Sequence, residues 1–526
     1  KECALRVFLT LPQERRNDCR RRFGAWYEQH RQYLHAMQAY DQCGDYHALL
    51  RVVQQDAGIL LSSLDPKNVL DFLDECPEDT LKAHPAALLV LMRSMFNWRN
   101  IPRMLELRQL LLTAIDEDKQ RSAEERGNLL GECDLIMSFL CYNDISAMSR
   151  LHRSASAQMS RPAISIQKSG GWTFGSPSVL MMFYRASGEL QSELTEMDEC
   201  MPHYYKITNG HGQGAETIMR AEADFMRACF ADAQIMLERA YAQIDGNGQE
   251  NMALCCDFLA WRLSLCTSFT PRESFEQRRE ALLQQHNVAW LNILQSSCAY
   301  YYALLGLPEK IPAVFREHQL ASIHFLAPGK PMMELIENQV YLAQGEYAKV
   351  IGHSEALLGM CEAMHYALVA LHIRLQTAAA YEMLGKRETA DELLISALAA
   401  AEPDALYLPF VENYRYLKTA LTRGAGAKFA AFVRTVTPLG EDFVRRCGEK
   451  RAEGSRPAAL AGLTERESAI AALVAKRLSN REIAEQLFLS EGSVKQYINQ
   501  IYSKLLITGD VRTKRKRLAE LAAPKS

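Results

Sequence analysis

The sequence predicts an all-α fold, a long array of helix pairs followed by a small module of short, capped helices. Three observations carry that reading. Between about residues 20 and 450 the chain is rich in Ala, Leu, Met and Gln with few β-branched runs, a composition that favours helix. Within that stretch a phrase recurs: helix, small turn residue, polar residue, helix. The last sixty or so residues carry helix-start signals spaced as in a helix-turn-helix.

In the array the phrase is clearest in Tyr341-Leu-Ala-Gln-Gly345 and in Tyr381-Glu-Met-Leu-Gly385, whose glycines are about 40 residues apart. Gly306, Ala228 and Gly188 keep roughly that beat or its double, and Gly44 begins a looser section. A helix pair cannot bury its own apolar face, so pairs at a fixed period stack on one another. The expected architecture is a tetratricopeptide-like superhelix of about nine or ten pairs. The alternative is a helical bundle without repeats.

One stretch breaks the beat. Ser165 to Ser178 holds three glycines, a proline and two aromatics, and His203 to Gly214 is a second irregular segment. Trp172, Thr173, Phe174, Ser176, Tyr204 and His211 are the candidates for an effector pocket, with aromatic walls and hydroxyl and amide groups around them. Packing of an awkward joint in the stack is the other reading, and both stay open at this point.

In the terminal module Thr464 with Glu467 and Ser479 with Glu482 fit the capping box, in which a hydroxyl and a carboxylate satisfy each other's free amides. Ser490 is placed to cap a third helix. There Val494, Ile498, Ile501 and Leu505 form one buried stripe, while Gln496, Asn499 and Ser503 point away from it, flanked by Lys495 and Tyr497. Amides and hydroxyls pair with base edges, and a lysine reaches a phosphate or a guanine. Gly492 would let the backbone come close to DNA. From Ser455 onward 13 Lys and Arg stand against 7 Asp and Glu, a balance of +6 in a chain of net charge −3. A basic module on an acidic body is the layout of a DNA reader. Arg512, Lys514, Arg515, Lys516 and Arg517 are either a phosphate clamp or the solvated side of a fourth helix.

The segment from about Pro457 to Leu521 resembles the LuxR-type DNA-binding domain, a four-helix variant of the helix-turn-helix. The matching residues are Leu463-Thr464-x-Arg466-Glu467, Ser479-Asn480-x-Glu482-Ile483-Ala484, Leu487-x-Leu489-Ser490, Val494-Lys495 and Ile501-Tyr502-x-Lys504-Leu505. The resemblance implies a third helix in the major groove of double-stranded DNA and a fourth that pairs two modules, hence a homo-oligomer on DNA. It makes Lys495, Gln496 and Asn499 the first contact candidates, with Ser493 and Lys504 behind them. The sequence departs from the family at Arg477, where a glycine is usual, at Tyr497, often histidine, and in the long connection Ile507 to Arg512.

The first part, Arg20 to His30 and Ala36 to Tyr40, resembles the segment after the ATPase of large MalT-like regulators. That implies residues 1–45 as the end of a winged-helix or connecting segment, 46–450 as the repeat sensor, 451–457 as linker and 458–526 as the DNA module. The linker's Gly, Ser and Pro suit a flexible tether. No G-x-x-x-x-G-K-[ST] occurs, so no cofactor is expected in this chain, and ATP only through a module upstream of Lys1. A first residue other than Met fits that expectation.

No HExxH, CxxC or His-Cys set at ligand spacing stands out among 13 His and 14 Cys, so neither catalysis nor a metal is expected. The scattered cysteines read as reduced core fillers of a cytoplasmic protein, with no leader or membrane span. The expected function is transcriptional regulation, with a small-molecule or protein effector and RNA polymerase as further partners. The alternative is a helical scaffold whose basic module binds nucleic acid without sequence preference.

Overall fold

The computed structural model describes residues 2–57, 61, 64–284, 288–323, 326–424, 428–454 and 463–522. Among these, helices follow one another from Glu2–Thr10 to Val511–Ala522 without a strand, so the chain is all-α. It divides into two compact units, Lys1–Phe443 and Val444–Ser526.

In the first unit most helices pair with the next. Examples are Pro85–Asn97 with Ile101–Glu117, Ala215–Met226 with Phe230–Ile244, and Ala367–Met383 with Arg387–Ala401. The recurring phrase is the chemistry of the turn. Gly345 and Gly385 adopt φ of +78° and +75°, and the next amide reaches back to a tyrosine carbonyl. Glu346 N donates to Tyr341 O at 2.8 Å and Lys386 N to Tyr381 O at 2.9 Å. This six-residue closure satisfies carbonyls that a helix end leaves free. Arg99 and Ala228 make the same turn without glycine, at φ +58° and +60°, so the device is wider than its glycine signature. Gly188 does not belong to it. It lies in a loop after the four-residue helix Leu180–Phe183, where the segment 159–179 takes the place of a long helix.

The helices Ala215–Met226, Glu250–Cys266, Val288–Leu305, Lys330–Gln344 and Ala367–Met383 each pack against the next in that order, and Ala215–Met226 also meets the short helices Leu180–Phe183 and Leu408–Glu412. Ala367–Met383 meets the same two short helices, so the row closes on itself. Asp404 marks the seam. Its carboxylate accepts the Tyr184 hydroxyl at 2.6 Å and the amides of Gly188 and Leu190 at 2.6 and 3.3 Å.

Residues 1–45 contribute helices of the first unit, and Tyr33–Asp41 packs on Tyr46–Asp56. The first four residues of the expected linker, 451–454, end the helix Ala430–Gly454, because nothing before Gly454 stops it; Ser455 to Pro457 lie outside the described residues. Among the described residues no helix is long and apolar enough to cross a membrane.

Candidate nucleic-acid interface

Four short helices form the described end of the second unit: Glu465–Ala475, Asn480–Leu487, Glu491–Lys504 and Val511–Ala522. Each of the first three begins at a hydroxyl cap. Thr464 Oγ1 accepts the Glu467 amide at 3.3 Å while Glu467 Oε2 takes the Thr464 amide at 2.7 Å. Ser479 and Glu482 repeat the exchange at 3.3 and 2.7 Å. Ser490 Oγ accepts the Ser493 amide at 3.1 Å, only two residues beyond the turn that ends the second helix. Phe488 makes that tight turn at φ +51°.

The caps and the buried stripe fix the azimuth of the third helix. Val494, Ile498, Ile501 and Tyr502 are buried against Ile470, Val474, Ile483 and Leu518. Lys495, Gln496, Asn499, Gln500 and Ser503 are exposed. At a hundred degrees per residue the last four occupy the sector opposite the stripe, with Lys495 at its edge. The sector therefore offers two glutamine amides, an asparagine amide and a hydroxyl, a set able to read base edges, beside a lysine for phosphate. Gly492 lies in the same sector. A methyl group there would meet nothing nearer than Ser490 Oγ at 3.8 Å, so packing within the module does not require glycine.

Residues 461–515 match the family described as bacterial regulatory proteins, luxR family. The carboxy-terminal module is of the LuxR type. A transcriptional regulatory protein of Bacillus subtilis, LnrK, is 41% identical over 63 residues, which are 11% of this chain and 29% of LnrK. The chain thus matches under a third of the length of that curated relative.

Within the LuxR-type module three candidate contacts have internal work. Lys504 Nζ donates to Glu467 Oε2 at 2.7 Å, tying the end of the third helix to the start of the first. Burial works to raise the Glu467 pKa, but the hydrogen bonds from Lys504 and Thr464 outweigh it and hold the carboxyl below its ordinary value. Tyr497 is half-buried and packs on the core, and the Ser493 hydroxyl lies 2.8 Å from that of Ser490. Arg515 is not free for a phosphate clamp either. It donates to Asn480 Oδ1 at 2.7 Å and to the Leu478 carbonyl at 2.6 Å, bracing the fourth helix against the second. Its place one turn before buried Leu518 is the signal that marks it. Arg512 and Arg517 remain exposed. Arg477, where glycine is usual, takes φ +63°, and the Leu478 amide closes the turn on Leu473 O at 3.3 Å.

The other candidate group lies in the first unit. Trp172, Thr173, Ser176, Tyr204 and His211 are buried, and the side chains of Thr173, Ser176, Tyr204 and His211 hydrogen-bond to one another or to neighbours. Asn251 Oδ1 accepts the amides of Trp172 and Thr173 at 2.7 and 2.9 Å. Thr173 Oγ1 donates to Ser176 O at 2.6 Å, and Tyr204 Oη lies 2.7 Å from His211 Nδ1. Burial and the Arg93 charge push the His211 imidazole down to about 4, so it is neutral at pH 7. Phe174 packs edge-on to Tyr142, ring centroids 5.6 Å apart. The loop is thus threaded through the packing. Two clefts, of about 200 and 290 Å³, lie elsewhere in that unit and none of these residues lines them.

Proposed function

We propose that the chain is a one-component transcriptional regulator whose helical-repeat body senses a small-molecule or protein effector and controls a sequence-specific DNA reader. The single observation that carries the reading is the third helix of the LuxR-type module. Its amide and hydroxyl face is exposed, and its azimuth is fixed by the cap at its start and the stripe it buries. Lys495, Gln496, Asn499 and Ser503 meet the groove in this reading, Ser493 and Tyr497 shape its margins, and Lys504 positions the helix through Glu467.

The effector sets how bodies associate, and association sets whether two modules engage adjacent half-sites together. Where a flexible tether joins body and module, the second engagement becomes intramolecular, which raises avidity without new contacts. In the MalT-like version of this proposal an ATP-binding module precedes Lys1, RNA polymerase is the downstream partner, and the protein works in the cytoplasm as a homo-oligomer.

Selection of bound duplexes by the full chain from a randomised DNA pool tests the reading. A recurrent site is expected, with two related half-sites. Retention that depends on salt but enriches no sequence would support a scaffold with a non-specific basic module instead.

A further inference from the structure

The closed row of helices in the first unit buries more polar chemistry than its own packing satisfies. Each of its five long helices contributes: Glu222, Arg262, Tyr300, Asn338, and His372 with Gln376, all buried. From Glu222 through Arg262, Tyr300 and Asn338 to Gln376 the spacing is about 38 to 40 residues, the beat of the repeat itself. The stack therefore places at least one polar group per helix in its interior.

Arg262 is the centre of this group. Its Nε donates to Glu412 Oε1 at 2.8 Å, and Glu412 Oε2 accepts the Tyr300 hydroxyl at 2.7 Å. The guanidinium carbon sits over the rings of Phe225, Phe258 and Tyr300, at 4.8, 5.2 and 5.6 Å from their centroids. Among the described residues Nη2 reaches the Met226 thioether at 4.0 Å, and Nη1 has no hydrogen-bond partner. Glu412 thus engages one corner of the guanidinium and leaves its outer edge unused. His372 is fully buried, and among the described residues neither ring nitrogen has a hydrogen-bond partner. Burial and the Arg262 charge push its pKa down to about 3, which keeps the imidazole neutral with one donor and one acceptor. Asn338 Nδ2, Gln376 Oε1 and Glu222 Oε1 likewise have no partner among the described residues. Burial pushes the Glu222 carboxyl up to about 7 against the pull of the Arg262 charge, so near pH 7 it is partly relieved of the charge that would oppose an anion there. Buried polar atoms without partners are costly and few in folded proteins.

We propose that this interior is a binding site for a small oxyanion, a carboxylate or a phosphate, seated on the Nη1–Nη2 edge of Arg262. The flat edge of a guanidinium matches two oxygens of either group. His372 and Asn338 supply further N–H donors, and Gln376 Oε1 accepts a hydroxyl of the bound molecule. The aromatic rings keep water from the guanidinium, which strengthens a charge-assisted hydrogen bond there. Glu412 acts as positioning residue, holding the guanidinium through Nε and leaving the Nη1–Nη2 edge to the bound oxyanion. The site deepens the sensing role proposed above, because its occupant would be gripped by helices from successive repeats.

Thermal unfolding of the full chain without DNA tests the site, with acetate and inorganic phosphate titrated separately against chloride of equal ionic strength. A ligand that binds only the folded state raises Tm. The expected result is a saturable rise with one of the two probes, which also names the source of the oxyanion. Arg262→Met combined with Glu412→Gln removes the charged edge, keeps the volume and leaves an acceptor for Tyr300, so this variant should fold and lose the rise. An equal rise in parent and variant would be a general salt effect and would overturn the proposal, as would no rise with either probe. Should the double variant fail to fold, His372→Leu decides. It removes two unpaired nitrogens and should weaken the apparent affinity at least about fivefold through the lost hydrogen bond, whereas an unchanged midpoint overturns the site. No DNA enters the experiment, so its failure leaves the DNA-reading proposal standing.

Discussion

In the LuxR-type module the polar groups that start the helices lie close in sequence to the groups they serve: Thr464 and Glu467, Ser479 and Glu482, Ser490 and Ser493. In the helical body they reach across much of the chain. Arg262 pairs with Glu412, Tyr184 with Asp404, and Asn251 holds Thr173. The first arrangement makes helices that start at fixed residues and present a defined outer face. The second makes a closed interior that forms only when distant segments meet, and distant contacts are the slow part of folding. A helix-turn-helix needs the first, since its product is a surface. A closed stack needs the second, since its product is an interior.

The contrast breaks most decisively at Arg262. Removing one partner of a buried ion pair leaves the other charge uncompensated and costs about 3–5 kcal/mol. Arg262→Ala should therefore drop the calorimetric transition of the body sharply, and a loss below about 1 kcal/mol would mean that the pair does not hold the interior. Asn251→Ala comes next. It strands the buried amides of Trp172 and Thr173, at about 1–3 kcal/mol each, and denaturant unfolding should show a loss near the middle of the combined range.

Within the module the effects are smaller. Glu467→Gln should cost about 1 kcal/mol at pH 7, the worth of a helix cap. The Glu467 carboxyl has a folded pKa below its ordinary value, so its contribution is complete above that value and fades as the pH falls through the lowered one. Parent and variant should therefore converge in strong acid, and a difference independent of pH would contradict the bonds to Lys504 and Thr464. Gly492→Ala should stabilise the module by about 0.5–1 kcal/mol, because alanine is the better helix former and room exists for the methyl group. If the backbone there approaches DNA, the same variant should bind DNA more weakly.

The same contrast decides how much is legible in the sequence. Caps and the stripe Val494, Ile498, Ile501 are local patterns, so the module's helices, their starts and their outer face can be read directly. The Tyr-x-x-x-Gly turns are legible for the same reason. Lys504 and Arg515 look like free cations in the sequence because their partners, Glu467 and Asn480, lie 37 and 35 residues away. Gly188 imitates a repeat turn, since a glycine at the right spacing does not show that a loop precedes it. The interior of the body is not legible at all. Nothing local to Arg262 announces Glu412, and nothing local to Trp172 announces that Asn251 will hold its amide inside the packing.

The measurement that tests the central claim most directly is fluorescence anisotropy of the full chain on a selected duplex and a scrambled one, each at two salt concentrations. Lys495→Ala should weaken binding to both duplexes and flatten the salt dependence, as loss of a phosphate contact does. Asn499→Ala should instead narrow the gap between the duplexes by about 1–3 kcal/mol, as loss of a base contact does. Unchanged binding in both variants, at both salts, would contradict the assignment of the third helix to the groove.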